Sequence, residues 1–524
     1  MRYIGSLLGI LHRSRSRRLV ALWLAVGLLV PQASATWSVV VINKLTGEVC
    51  SATATCIEGM GLENAVPVIV VGRGAGASQA FVLSNAQNRK IMFSGFKNGL
   101  LPDRILDIII QSDSGIDSRQ FGIVSFDGPP SSFTGAGLNS QGAAWAGGLT
   151  GETSELIYAI QGNSLTGANV ILAAEQALLN TSGDLSLKVM MAMEAARSMG
   201  GDGRCSCSVG AADSCGSPPP SFDKSAHQAV MFLARPGDKN GSCQGAVGCA
   251  NGDYYLGLKV GGNWSNVDPV IELRDQYAQW RASLAGVPDH YLSEVSVDRQ
   301  SIVADGRSRA RVTIRLKDLD GVPLTQGGAL INLKRQNPLP RKGVAGPVTD
   351  NGDGTYSLDL VATTSAGLGQ WRVDVDLGGP RPIRLSPFLE LSSDPLSELH
   401  VGVRQYSGTQ STLVPFTLNR ASVDAGRPFR ILGSLSGTQP GFDLMGVHVA
   451  LNRDPFFNTT WVPPGRDDFY GSHGSLDAVG RAQAYLRLDP LWSSVLVGRR
   501  FEFCAWLSGS TPEITNGVGF DITL

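Results

Sequence analysis

A threonine at a free N-terminus carries a hydroxyl that can attack an acyl carbon and, on the same residue, an amine that can take its proton. Thr36 is placed to become such a residue. It follows Ala33-Ser34-Ala35, a small-x-small sequence of the kind that ends an export signal. A cut after Ala35 leaves Thr36 first in the mature chain, so that export and nucleophile formation become one event. The reaction would also need donors for the developing oxyanion. Asn163 is the side-chain candidate, because Gln161-Gly162-Asn163 ends a strand expected to lie near the first one. Thr53, Ser78 and Gln79 are candidates to line the cleft, and Asp202 and Arg204 to pair at its edge. Each has a structural alternative. Thr36 can simply begin a strand, Asn163 can be a turn residue tolerating the left-handed region, and Asp202 with Arg204 can be a solvated loop ion pair. His227 stands alone, with no Ser-x-x-Lys, Gly-x-Ser-x-Gly or His-Glu-x-x-His around it. Nothing argues for a catalytic metal or a cofactor.

The segment before Thr36 reads as a cleaved signal, residues 1–35. Arg13, Arg15, Arg17 and Arg18 form a basic region, and Leu19 to Val30 an apolar run too short for the roughly 20 residues of a bilayer span. No later stretch is long and apolar enough to cross, so the mature protein is expected to be soluble, secreted or periplasmic or held at a bacterial cell surface. The 524 residues suggest about three domains. A formal net charge of -1 argues against nucleic acid or an anionic membrane surface as the main partner. Eight cysteines in an exported chain point to disulfides. Cys50 and Cys56 on one straight strand are about 20 Å apart and cannot bond to each other. Cys205, Cys207, Cys215, Cys243 and Cys249 could make two disulfides within loops, and match no pair of zinc knuckles.

The elements that must position Thr36 come next. Thr36 to Asn43, Glu48 to Cys56 and Val66 to Val71 read as strands, and the glycine-rich Gly72 to Ala77 as a connection that lacks a phosphate-loop ending. Phe81 to Ser94 and Asn98 to Ser112 read as helices, the second from Leu101, Ile105, Ile108 and Ile109 at helical spacing. Strands follow at Gln120 to Phe126, from Ser131, and at Leu156 to Gln161, then helices at Ala168 to Leu179 and Leu185 to Met199. Two strands, Ala226 to Ala234 and Tyr254 to Val260, precede a closing helix with Asp268 as N-cap and Pro269 at its first position. Such segregated runs suggest two antiparallel sheets covered by helices.

Several ordered blocks carry a resemblance. They are Thr36-Trp37-Ser38-Val39-Val40; Gly122-Ile123-Val124 with Asp127-Gly128 and Phe133-Thr134-Gly135; Tyr158 through Leu165; Gly200-Gly201-Asp202-Gly203-Arg204; Arg235-Pro236-Gly237; and Asp268 through Leu273. Together they resemble the bacterial family DUF1028, of unknown function, assigned to the Ntn-hydrolase-like αββα sandwich. The resemblance implies a four-layer α+β domain over residues 36–286 with Thr36 as nucleophile and amine base. Two inserts depart from the pattern: Cys205 to Lys224, and the cysteine-bearing loop Asp238 to Asn251.

After a linker at Val287 to Ser293 the pattern changes to short strands. Ala304-Asp305-Gly306, Val312 to Asp318, Gly321-Val322-Pro323 and Val348 to Tyr356 resemble bacterial immunoglobulin-like repeats of the invasin and intimin kind, over residues 295–390. Asp350 to Gly354 lacks the Glu that a calcium loop requires and reads as a tight hairpin turn. Leu391 to Pro395 reads as a second linker, and residues 397–524 as another β-sandwich. The expectation is an exported Ntn-type amidohydrolase acting on a small amide or peptide-like substrate, carried on two all-β modules that attach it to a cell surface or matrix. The alternative is a surface protein that keeps the αββα scaffold for binding alone.

Overall fold

The computed structural model describes residues 36–139, 144–261, 267–336, 342–379, 381–394, 398–407, 411–420, 422–463, 465–490 and 495–523. The expected signal segment, residues 1–35, lies outside the described residues. The chain divides into two units, Met1–Trp280 and Arg281–Leu524.

In the first unit, strands β1 (Thr36–Asn43), β2 (Val49–Thr55), β7 (Trp145–Glu152), β8 (Leu156–Leu165), β9 (Gln228–Ala234) and β10 (Leu256–Val260) form one antiparallel sheet in the order β10-β9-β2-β1-β8-β7. Strands β3 (Pro67–Val70), β4 (Gly74–Ala80), β5 (Arg119–Ser125) and β6 (Gly128–Thr134) form a second, in chain order. Helices α1 (Leu62–Ala65), α2 (Gln87–Lys97), α3 (Pro102–Ser112), α4 (Asn169–Asn180), α5 (Leu185–Ser198), α6 (Gly203–Ser206) and α7 (Pro269–Ala282) complete the unit.

Alternation along β1 sets the packing. Strand side chains point to opposite faces in turn. Trp37, Val39 and Val41 share a core with Ala174 of α4, Val189 of α5 and Leu273 of α7. Val40 and Ile42 pack with Ile69, Ala75, Ala77 and Val124 of the second sheet. The far face of that sheet, through Val68, Phe121 and Ile123, packs on Phe96 of α2 and on Ile105 and Ile109 of α3. Both faces of β1 are therefore covered, which is why every position in it is buried.

Helix ends follow local chemistry. The Asp184 carboxylate accepts from Leu187 N at 3.2 Å at the start of α5. Asp268, expected as a cap, accepts from Val270 N at 2.8 Å. The helix expected from Phe81 begins only at Gln87, because Ala80 (φ 68°) and Ala86 (φ 59°) take left-handed backbone and turn the chain between them. The expected glycine-rich connection is largely strand β4. A Cβ on Gly74 would lie 2.8 Å from the Phe96 ring, so its glycine lets α2 lie close against the strand.

The second unit is β-rich. Strand Arg309–Arg315 alternates in and out, with Ala310, Val312 and Ile314 buried. It lies in a five-stranded sheet whose core joins that of a second five-stranded sheet built on Gly367–Asp376. The Asp350 hairpin is present, Asp350 pairing with Tyr356 around Gly352 and Gly354 at positive φ. The linker expected from Leu391 is instead strand Leu389–Asp394, which pairs with Gly367–Asp376 and with Ser301–Val303; its alternately buried Leu389 and Leu391 explain the difference. Beyond it, sheets containing Thr412–Asn419 and Arg500–Leu507 enclose an aromatic core of Phe416, Phe501, Phe503 and Phe520.

Candidate functional site

The layer between the two sheets of the first unit changes character along its length. On β1 the inward face runs from Ile42 and Val40 to Ser38 and Thr36. On β8 it runs from Ile157 and Ala159 to Gln161 and Asn163. Strand β4 follows Ala75 and Ala77 with Gln79, and β5 reaches Gln120 past Val124 and Gly122. Thr53 and Thr55 belong to the same face of β2, alternating with Cys50, Ala52 and Ala54 on the helix side. One half of the layer is largely apolar, with Ser51 as a buried polar member. The other holds a cluster of buried, uncharged polar side chains.

These groups bond mostly to one another. Thr36 stands opposite Asn163 in the β1–β8 ladder, a spacing that brings facing Cβ atoms to about 4.5–5.5 Å. The Thr36 hydroxyl lies 3.3 Å from that of Thr55. The Gln79 amide donates to the Thr36 carbonyl at 2.9 Å and to Gln120 Oε1 at 2.8 Å. Gln79 Oε1 accepts from Ser38 Oγ, which also meets Thr53 Oγ1 at 2.9 Å. Asn163 Nδ2 donates to Gln120 Oε1 at 3.0 Å. Gln120 Nε2 in turn reaches Gly162 O at 2.8 Å, Gly147 O at 3.0 Å and Thr134 Oγ1 at 2.9 Å.

Three atoms stand outside the network. Asn163 Oδ1 and both amide atoms of Gln161 have no hydrogen-bond partner among the described residues, although these residues are 1% and 0% exposed. Gln161 lies against Gly122 and Gly148. A Cβ on Gly122 would fall 2.1 Å from Gln161 Oε1, and one on Gly148 3.0 Å from Gln161 Cβ.

Of the residues singled out from sequence, Thr36, Thr53, Gln79 and Asn163 meet in this patch. Ser78 does not. It neighbours Gln79 in β4, so alternation turns it to the opposite face, that of Gly76, whose added Cβ would meet Met92 of α2. Asp202 and Arg204 do pair, Arg204 Nη2 lying 2.8 Å from Asp202 Oδ2, yet Asp202 is fully buried, unlike a solvated loop pair. Its oxygens also accept from Cys56 N at 2.7 Å and Arg204 N at 3.1 Å, so the carboxylate works as a strut between the end of β2 and α6. Sequence reasoning missed Ser38, Thr55, Gln120 and Gln161 as members of the patch. The available signal was glutamine inside otherwise apolar strands, where a buried amide needs partners.

Cysteine pairing reinforces the strut. Cys56, next to Thr55, is bonded to Cys205, a link sequence spacing did not reveal. Cys207–Cys215 and Cys243–Cys249 close loops, and Cys50 and Cys504 are free and buried. Among the described residues, the one trio with metal-ligand spacing is Cys56, Cys205 and His227. With the two sulfurs joined to each other, His227 is its only available ligand.

In the second unit, Ser301, His400 and Asp394 have the composition of a catalytic triad. The geometry is wrong for a relay. His400 Nε2 faces both Ser301 Oγ and Asp394 Oδ2 at 3.1 Å, whereas a relay needs one ring nitrogen for each.

Comparison with known proteins follows the same division. A Silicibacter pomeroyi protein of the DUF1028 family is 19% identical over 47% of this chain and 86% of its own, with a TM-score of 0.35. Invasin, a bacterial integrin-binding protein, is 13% identical over 77% of this chain and 56% of its own, TM-score 0.18. The Escherichia coli adhesin FdeC is 11% identical over 92% and 96%, TM-score 0.19. The model of a family of unknown function, DUF1028, matches residues 36–212, and that of invasin domain 3 matches residues 289–382. The three disulfides and the invasin match fit an extracellular or cell-surface location. Among the described residues no helix is long and apolar enough to cross a membrane. The chain thus joins a segment that matches the DUF1028 model, in a mixed α/β unit, to one that matches the invasin domain 3 model, in a β-rich unit.

Proposed function

We propose that the first unit is an exported N-terminal-nucleophile hydrolase acting on an amide or peptide-like bond, with Thr36 as nucleophile. On this reading residues 36–286 form an αββα Ntn-type domain. Residues 295–390 and 397–524 are two β-sandwich domains that attach it at a cell surface. The observation that carries the reading is the position of Thr36. It begins the central strand, faces the polar half of the inter-sheet layer and lies opposite Asn163. Once freed by cleavage after Ala35, its amine takes the hydroxyl proton, directly or through a water, as the oxygen attacks. Collapse of the tetrahedral intermediate breaks the C–N bond, the proton held by the Thr36 amine passing to the departing amine, and water then hydrolyses the acyl-enzyme and restores the Thr36 hydroxyl. Asn163 turns its amide N–H from Gln120 to the oxyanion, where a donor must approach to about 3 Å. Gln79 fixes the Thr36 backbone meanwhile.

N-terminal sequencing of the exported protein tests the first step, and a start anywhere other than Thr36 rules the mechanism out. With that start established, an acylating active-site probe labels wild type and spares Thr36→Ala. Equal labelling of both supports the second reading, a surface protein that binds without catalysis. The invasin domain 3 match favours that alternative, since it suggests cell-surface binding.

A further inference from the structure

The polar half of the inter-sheet layer contains Thr36, Ser38, Thr53, Thr55, Gln79, Gln120, Gln161 and Asn163, every one neutral. Two charged pairs stand beside this patch in the chain: Arg119, next to Gln120, pairs with Asp113, and Asp202, which pairs with Arg204, also holds the end of β2. While the Thr36 amine is in the neutral form that its role as base requires, a charged group buried here would meet no counter-charge among the described side chains of the patch, and an unpaired buried charge is strongly disfavoured. What the patch does offer is amide chemistry. Gln161 presents one N–H donor group and one carbonyl acceptor without partners, and Asn163 adds a second acceptor beside Thr36. Leaving such atoms unsatisfied is destabilising. An amide, with one carbonyl and one N–H, satisfies Gln161, and a neighbouring N–H on the same ligand satisfies Asn163 Oδ1.

We infer that Gln161 and Asn163 form a neutral amide-recognition element, so that the group held beside Thr36 is an uncharged, end-blocked amide. A free carboxylate or a free ammonium on the atoms next to that amide is rejected. The inference rests on the polar patch being the reaction site, and it narrows the substrate class from any amide to amides flanked by neutral groups. Gly122 and Gly148 belong to the same element. Lacking Cβ atoms, Gly122 leaves room for the Gln161 amide and Gly148 for the Gln161 Cβ.

The experiment uses the full mature chain beginning at Thr36 and three probes of matched size: N-acetylglycinamide, N-acetylglycinate and glycinamide. Calorimetric titration is expected to give at least tenfold tighter binding of the neutral probe than of either charged one. Gln161→Met, which keeps length and removes both polar atoms, is expected to lose that preference. If Gln161→Met fails to fold, Gln161→Glu serves instead and shifts preference to the ammonium-bearing glycinamide. Equal affinity for the three probes overturns the inference. So does binding of none, which would leave the amides to a structural water. The two readings separate cleanly. Selective binding of N-acetylglycinamide without any acyl adduct on Thr36 sinks the nucleophile and keeps the recognition element. Adducts formed equally from neutral and charged acyl donors do the reverse.

Discussion

The Gln79 amide reaches across the gap between two sheets to the backbone carbonyl of Thr36, at 2.9 Å, while its own carbonyl accepts from Ser38. One side chain thus holds two residues of the central strand. Gln79→Glu keeps an acceptor for Ser38 but, ionised, has no proton for the Thr36 carbonyl. This variant is expected to lose about 1–3 kcal/mol of stability to the unsatisfied carbonyl. It is also expected to form the Thr36 adduct at least tenfold more slowly. Urea denaturation and probe-labelling rates check the two effects separately.

Gly122 and Gln161 should be coupled. Gly122→Ala forces a methyl into the space of the Gln161 amide and is expected to cost about 1–3 kcal/mol, as overpacking commonly does. In a Gln161→Ala background the same change should cost much less. A double-mutant cycle that shows simple additivity would mean the two side chains do not compete for this space.

Removing the Cys56–Cys205 link opens a loop with a sequence separation of 149, against 8 for Cys207–Cys215. Chain entropy alone gives about 5 kcal/mol for the first and roughly half that for the second. The double variant Cys56→Ala/Cys205→Ala is therefore expected to be the less stable of the two double variants in urea. It should also label more slowly at Thr36, because the Asp202 strut then rests on hydrogen bonds alone.

Much of this architecture is legible in the residues themselves. The continuous apolar run Val39 to Ile42 marks β1 as a buried strand, Ile105 and Ile109 mark α3, and Asp268 announces α7. What resists reading has two physical origins. Glycine is ambiguous: in Gly74 and Gly76 it signals close packing, and in Gly147, Gly148 and Gly151 of the unforeseen β7 it sits inside a strand. The site itself depends on which of two faces a residue takes, and one position separates Gln79, inside the patch, from Ser78, outside it. Local pattern carries that information only once the partner strands and their register are known.

Cys50 and Cys504 should be silent toward iodoacetamide in the native protein. Burial, and secondarily the charge of Glu48, pushes the Cys50 thiol well up, and burial pushes Cys504 to about 12. Since the thiolate is the reactive form, no alkylation is expected at pH 8 without denaturant. Two alkylations are expected in denaturant without reductant. Mass spectrometry counts both, and a higher native count would contradict the burial of these thiols.

The Asp394 cluster gives the second unit an acid limit. Burial raises the Asp394 carboxyl, but hydrogen bonds with His400 and Arg404 and their charges outweigh it and hold it at about 2. Because the folded value is depressed from 3.8, the stabilisation is complete above about pH 4 and is lost as pH falls toward 2. Unfolding free energy measured between pH 5 and 2 should fall less steeply in Asp394→Asn than in wild type.

The strand order of the first sheet also sets a timetable. Strand β2 follows β1 directly, but β8, which pairs with Thr36 on the other side, comes only after the whole second sheet and its two helices have been made. Pairings so distant in sequence form late, since the chain entropy of closing the intervening loop must be met first. Strand β1, with Thr36 at its start, is thus sealed late on its β8 side. If the chain is cut after Ala35, a peptidase working on an extended chain has that interval in which to act, before folding shuts the door.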